Sequence, residues 1–460
     1  VTLTDVMPPA DRRSDVVRRI RGIRGTVRMR HEWVVRLDYG AILRQAKAAS
    51  AGEARQEPGD NPIAAAYATA FGRPSVAPDQ SFVSLGGDSL AYVQASIEVE
   101  HRLGFLPEGW ENMSVAELDL LARPASPVHS RRVEKLSTDV VIRAIAIVCI
   151  VLGHIPAIYE SNIHLTGGAL TLFMLAGYSL ARFQRGSLYA GRPQEVLTNF
   201  FLRVLIPYYL MMIALEPVTK GHQLTASTVL LYSNFTHLDR GPLNSYWFPE
   251  AIVQALAIFG SLFLLPPIRR IAQARPFATG LAFLGMAMGA NALAKLVWAH
   301  PTFSKWPDTW AYGLVAGWAI CFARTIPERV LLLALVTGFA AWDLGPSTSN
   351  FAFISLASAG VLFIRRIPVP RLMSAAVIAV AASSYFIYLV HKVVIQLFRF
   401  YVPVRNPLFI AAVAIGLGFI AHRAWQFALP RLTLLAQRAW TWVAGLARPD
   451  LSRQTHTDLS

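Results

Sequence analysis

The sequence predicts an all-α protein: a small four-helix module followed by a polytopic membrane domain of about ten transmembrane helices. Three observations predict it. Mean hydropathy is positive, and apolar runs of membrane-spanning length recur from residue 138 onward. The arginines that lift the net charge to +15 are spread over short segments between those runs. Inside-positive membrane proteins produce that distribution, and it argues against a nucleic-acid partner. Ahead of the runs lies a polar stretch whose apolar positions fall at helical spacing.

Residues 1–55 are basic and weakly patterned, with eight arginines between Asp11 and Arg30. They suit a solvated segment or one touching lipid headgroups. The first 60 residues hold no apolar signal-peptide core, so the N-terminus is expected in the cytoplasm. Gly52 to Pro62 reads as a linker. The module, residues 60–125, begins with a short helix over Asn61 to Phe71. A loop with Pro74 and Pro78 follows, then the turn Gly86-Gly87-Asp88. Leu90, Val93 and Ile97 mark one face of the next helix. Ser114 to Leu121 reads as the last helix, capped by Ser114 or Asn112. Arg123 to Lys135 is a second linker.

The membrane domain covers 136–430. Its apolar runs lie near 138–159, 166–183, 199–219, 246–266, 277–299, 308–323, 329–345, 350–364, 373–391 and 407–428. Arg182, Arg185, Arg192, Arg269, Arg270, Arg275, Arg324, Arg329, Arg365, Arg366 and Arg371 follow the even-numbered runs. Those loops, and both termini, are expected on the cytoplasmic side of the cell inner membrane. Lys392, Arg399 and Arg405, in an expected loop after the ninth run, fit that scheme poorly. Residues 431–460 read as a cytoplasmic tail, with Leu432, Leu435, Trp442 and Leu446 at helical spacing for an inner-surface segment. Cys149 and Cys321 both fall in apolar runs and read as free buried thiols.

Few residues carry reactive chemistry. Ser89 follows the glycine turn at the start of a helix, where a bound phosphate is favoured; a plain helix cap is the alternative. In the first run, Arg143 and His154 are separated by ten residues. Eleven residues of rise is about 16 Å and close to three turns, so both side chains fall on one face. A neutral imidazole at that depth suits a general base on a hydroxyl. A packing histidine bonded to a carbonyl and an arginine reaching headgroups remain open as alternatives. Arg203 lies near the cytoplasmic end of the third run, while Glu250 and His391 lie near the outer ends of the fourth and ninth. Arginines suit phosphates, and a histidine with a carboxylate suits base catalysis. His164, His222, His237 and His300 read as solvated, and Asp239 with Arg240 as a loop charge pair. No His/Cys/Asp cluster has metal-ligand spacing.

Several strings resemble three known families. Val34-Val-Arg36-Leu-Asp38-Tyr39 faintly resembles the closing stretch of adenylate-forming ligases, without their Gly-Lys pair. Phe82-x-x-Leu85-Gly86-Gly87-Asp88-Ser89-Leu90, with the downstream Val-Ala-Glu-Leu helix, resembles an acyl or peptidyl carrier domain. That resemblance implies 4'-phosphopantetheine on Ser89, a phosphopantetheinyl transferase as partner, and an upstream adenylating ligase to load the arm. The Arg143-ten residues-His154 string resembles the acyltransferase 3 family. So do Gly168-Ala-Leu-Thr-Leu-Phe173-Met-Leu-Ala-Gly177-Tyr178, Phe-x-x-Arg203 before Pro207, Tyr246-Trp247-Phe248 and Tyr388-Leu-Val-His391. Ala176 stands where that family commonly has Ser, and Phe200 where it commonly has a first Arg, which leaves Arg203 unpaired in the motif. This resemblance implies an acyltransferase with His154 as catalytic residue, supported by Glu250 or His391, and with Arg143 and Arg203 on the donor. The expected donor is a phosphopantetheine thioester or acyl-CoA. The expected acceptor is a hydroxyl or amine of a glycan, lipid or small molecule. A carrier-coupled transporter or flippase is the rival reading.

Overall fold

The structure is a computed structural model that describes residues 2–6, 17–21, most of 61–121, 133–159, 165–219, 225–236, 246–298, 304–402 and 404–446. His164, His222, His237, Asp239, Arg240 and His300 lie outside these residues, as does the ligase-like string near Arg36. So do the tail beyond 446 and the side chains of Leu432, Leu435, Trp442 and Leu446. The chain divides into two units, Val1–Gln56 and Glu57–Ser460. In the first, β1 (Thr2–Val6) pairs antiparallel with β2 (Val17–Arg21), Thr2 opposite Arg21.

The second unit opens with three helices, α1 (Pro62–Phe71), α2 (Ser89–Leu103) and α3 (Val115–Leu120), and a 3-10 turn at Trp110–Asn112. Asn61 Oδ1 accepts from the backbone N–H groups of Ile63 and Ala64 and starts α1. Ser114 is the cap of α3, in a reciprocal box with Glu117. The core is aromatic: Phe82 lies 5.2 Å from Trp110 and 5.3 Å from Phe71, ring centre to ring centre. The core does not end at the module. Phe183 of the membrane domain sits 4.9 Å from Tyr92 and 5.3 Å from Phe82, and Val140, Ala144 and Ala381 join the same buried cluster.

A short antiparallel pair, β3 (Val133–Ser137) with β4 (Arg366–Pro370), interrupts the expected all-α plan. The membrane domain then runs through α4 (Thr138–Gly153), α5 (Pro156–Tyr159), α6 (Gly168–Ser179), α7 (Arg185–Tyr189), α8 (Pro193–Phe200) and α9 (Ile206–Thr219). It continues through α10 (Ala226–Val229), α11 (Trp247–Leu262), α12 (Pro266–Ala274), α13 (Pro276–Trp298), α14 (Pro307–Phe322), α15 (Ile326–Leu344) and α16 (Ser349–Phe363). After β4 come α17 (Arg371–Ala382), α18 (Ser384–Phe400) and α19 (Pro407–Leu446).

Among the described residues, three helices are long and apolar enough to cross a membrane, or five if each bent pair is one span. The count of about ten spans expected from hydropathy is not matched by that number of long apolar helices among the described residues, and several apolar runs are bent or carry a π turn. The fourth run bends by 91° between α11 and α12, and the ninth by 79° between α17 and α18. Single π turns at Leu180–Gln184 and Phe201–Leu205 interrupt the second and third. The two bends leave helices shorter than the roughly 20 residues that span hydrocarbon, whereas the third run stays one 24-residue helix, Pro193–Glu216, through its π turn. The expected loop at 392–406 is also corrected, since α18 stays helical to Phe400. At the other end, α19 runs without a break through the expected boundary at 430.

Helices α6 and α14 lie backbone to backbone. A Cβ at Gly177 would sit 1.7 Å from the Leu314 oxygen, and one at Gly317 only 1.8 Å from the Met174 oxygen. Small residues four apart on α14, Gly313 and Gly317, permit that approach, as they do in other membrane helix pairs.

Candidate active site

Among the described residues, two cavities of the membrane domain are lined by expected site residues, one by Arg143 and the other by His154. A narrow apolar slot of about 120 Å³ lies on the module side. Arg143, Ser179, Gln184, Phe200, Ser384 and Tyr388 are among its walls. A second chamber of about 660 Å³ is lined by His154, Thr166, Asn350, Lys392 and Arg399. Arg143 and His154, about 16 Å apart along the helix by their spacing, line different cavities. Helix α4 stops at Gly153, and His154 is its cap, with φ −96° and ψ −7°. That turns its side chain into the far chamber, where it is exposed.

The link between the cavities is α18. Tyr388 walls the slot, and one turn on, the buried ring of His391 lies 5.1 Å from that of His154. His154 Nδ1 is 2.7 Å from the Ile150 carbonyl oxygen, and His391 Nδ1 is 2.6 Å from that of Tyr388. A carbonyl oxygen only accepts, so these contacts place the hydrogen on Nδ1 in both rings and leave Nε2 with its lone pair. Nε2 of His391 is buried with no hydrogen-bond partner. Two adjacent imidazoles thus present basic nitrogens, one to the chamber and one within the protein.

Glu250 takes a different place from the one its chemistry suggested. At 1 % exposure, its carboxylate accepts from Tyr208 Oη at 2.9 Å, Ser233 Oγ at 2.5 Å and the Asn234 N–H at 2.9 Å. It ties α9, the 3-10 turn Ser233–Phe235 and α11 together. The neighbouring aromatic motif holds the histidine helix. Tyr246 Oη donates to the Leu389 oxygen at 2.9 Å, the Phe248 N–H donates to Tyr388 Oη at 3.4 Å, and Trp247 packs on Trp310 at 4.5 Å. Tyr385 Oη donates to the Val204 oxygen at 2.6 Å, which joins α18 to the π turn of the third run.

Arg203 is not among the slot's wall residues. Its guanidinium lies 4.8 Å from the ring of Phe71, on the module, while Phe200 and Val204 on either side reach the slot. The other π turn also meets the module. Arg182 Nε donates to Glu111 Oε1 at 3.0 Å and covers the Tyr92 ring at 4.5 Å. Burial pushes the Tyr92 hydroxyl up to about 12, although Arg182 pulls the other way. Gln184 Nε2 donates to the Gly87 oxygen at 3.3 Å.

The glycine turn thus rests on the mouth of the slot. Gly86 has φ +77°, and a Cβ on Gly87 would strike the Phe82 ring at 2.1 Å, so the turn tolerates little but glycine. Helix α2 begins at Ser89.

Sequence reasoning gave no site role to Gln184, Arg182, Tyr388 or Lys392. Tyr388 did stand in the Tyr388-Leu-Val-His391 string, and Arg182 and Lys392 in the charge scheme, Lys392 as a cation on the side where loops should carry few.

No curated protein and no solved structure gives a match to this chain. The acyltransferase 3 profile, an acyltransferase domain, matches residues 140–421. That stretch includes Arg143, His154, Glu250 and His391 and covers more than half of the 460 residues. The chain belongs to the acyltransferase 3 family, whose members are membrane acyltransferases that move groups other than aminoacyl groups.

Proposed function

We propose that this acyltransferase takes its acyl group from a thioester carried on the module and gives it to a hydroxyl or amine of a cell-envelope glycan, lipid or secondary metabolite. One juxtaposition carries the reading: Gln184 both walls the slot and holds the Gly87 oxygen, two residues before Ser89. A phosphopantetheine on Ser89 would supply the thiol that bears the acyl group. Arg143, in the slot wall, faces the donor. His154 Nε2 takes the proton of the acceptor as its oxygen or nitrogen attacks the thioester carbonyl carbon. The carbon–sulfur bond breaks, and the proton passes to the sulfur, which leaves as the thiol. His391, against His154, supports the ring as its charge changes. The protein lies in the inner membrane with both termini and the module in the cytoplasm, where a phosphopantetheinyl transferase and an adenylating ligase reach Ser89.

The test uses full-length protein coexpressed with a phosphopantetheinyl transferase, reconstituted in nanodiscs and followed by intact mass and radiolabelled acyl transfer. Wild type is expected to gain the arm, accept the label and pass it on, and Ser89→Ala to do none of these. If Ser89→Ala transfers from free acyl-CoA at the wild-type rate, the donor is acyl-CoA. If His154→Gln still moves label-bearing product across the bilayer as wild type does, the membrane domain is a transporter and the reading falls.

A further inference from the structure

We propose that the far chamber is an acceptor site selective for molecules that carry an anionic group, a phosphate or a carboxylate, close to the hydroxyl or amine being acylated. The acylation in that statement rests on the proposed function; the charge selectivity rests on the chamber alone.

The chamber is large enough for a sugar or a lipid headgroup, at about 660 Å³. His154 opens onto it with a basic nitrogen, so whatever fills it is in reach of the base. Two further cations line it, Lys392 and Arg399. They are seven residues apart on α18, close to two turns, so they share a face. Lys305 is within electrostatic range of Lys392 and adds to the same field. Among the described residues, no aspartate or glutamate lines the chamber. Thr166 and Asn350 contribute neutral hydrogen-bonding groups.

A simpler account would be cations placed to suit a helix C-terminus. It serves Arg405, whose Nη1 donates to the Phe398 and Arg399 oxygens at 2.8 and 3.1 Å, and Arg399 is in the last turn. It does not serve Lys392, which is more than two turns from that end and beside the catalytic pair. A positive field also suits the chemistry. It would hold an anionic acceptor against the basic nitrogen of His154. Arginine supplies a flat two-pronged donor and lysine a point charge, a combination suited to phosphate or carboxylate.

The test is a binding measurement on the full-length protein. The soluble probes are glucose 6-phosphate and glucuronate against glucose. The lipid probe is phosphatidylglycerol against diacylglycerol in phosphatidylcholine nanodiscs. At least one anionic probe is expected to bind ten-fold or more tightly than its neutral counterpart, and less so at high salt. Binding of a sugar probe identifies a soluble acceptor, and of the lipid alone a lipid-borne one. The Lys392→Gln/Arg399→Gln protein is expected to lose that preference, and the Lys392→Arg/Arg399→Lys protein, with the charge retained, to keep most of it. The retained binding separates lost charge from lost fold. Equal binding of charged and neutral probes, binding of none, or a preference that survives the Gln pair overturns the proposal. Charge-selective binding without acyl transfer leaves this site standing and removes the acyl-transfer reading instead.

Discussion

The rings of His154 and His391 lie 5.1 Å apart, each with Nδ1 on a carbonyl oxygen of its own helix. One opens to the chamber, and the other is fully enclosed. The arrangement gives them unequal tasks. His154→Gln is expected to lower kcat by about 10²–10⁴ with KM little changed, as loss of a general base does. His391→Gln is expected to lower kcat by about ten-fold, a smaller loss than removal of the base itself. Single-turnover acyl transfer checks both. Equal losses at the two positions would contradict the division of labour.

Glu250 gathers two hydroxyl donors and one backbone N–H on a buried carboxylate. Hydrogen bonds to a charged group contribute about 1.5–3 kcal/mol each, and a buried donor left unmet costs the same order. Glu250→Ala is therefore expected to destabilise the protein by about 3 kcal/mol or more. Glu250→Gln should cost less, since its amide oxygen still accepts while its NH₂ cannot serve the remaining donors. Thermal unfolding in detergent orders wild type, Gln and Ala.

Gly177 and Gly317 pack against opposing backbone, where nothing can shift aside cheaply. Gly177→Ala or Gly317→Ala is expected to cost about 3 kcal/mol, at the upper end of overpacking. The neighbouring Gly285, with open space at its Cβ position, is the control. Gly285→Ala should leave the unfolding midpoint unchanged or slightly raised.

The module's seat has a pH signature. Burial raises the Glu100 carboxyl above the ordinary glutamate range, against the pull of Arg366 at 3.5 Å and with the push of Glu134. A raised acid binds more protons folded than unfolded, so its contribution to stability falls as pH rises through that window. Glu100→Gln is expected to raise the unfolding midpoint slightly at pH 7 and to leave it unchanged in acid, below the ordinary glutamate range. A midpoint lowered at pH 7 would show that the pair with Arg366 outweighs burial.

Arg182 and Glu111 join the membrane domain to the module, and neither is fully in water. A double-mutant cycle of Arg182→Met and Glu111→Gln is expected to show coupling on the order of 1 kcal/mol, above that of an exposed pair. Hydrogen exchange in α2 should accelerate in either single variant.

The spacing of Arg143 and His154, the aromatic motif and the glycine turn were all legible in the sequence, because each is a local string. The positions of most helices followed from apolar periodicity. The breaks did not, for separate reasons. Pro266 and Pro267 mark the 91° bend after α11 and were available as a signal. The 79° bend at Ser383 has no proline. It is held by a contact 39 residues away, Ser383 Oγ with His422 Nδ1 at 2.9 Å. A π turn adds one residue without disturbing hydropathy, so Arg182, Gln184 and Arg203 could be counted but not aimed. His154 and Arg143 part company because eleven residues of rise set them about 16 Å apart, and periodicity reports the face of a helix but not which cavity lies at each depth.

Phe183 is a residue of the membrane domain, yet it fills the aromatic centre of the module. A body whose own interior is completed by a neighbour does not come and go lightly: each departure would open a ring-sized hole and wet it. Under the proposed function, travel during turnover would fall to the arm alone, a crane arm on a fixed pedestal, and loading enzymes would have to come to the membrane to meet it.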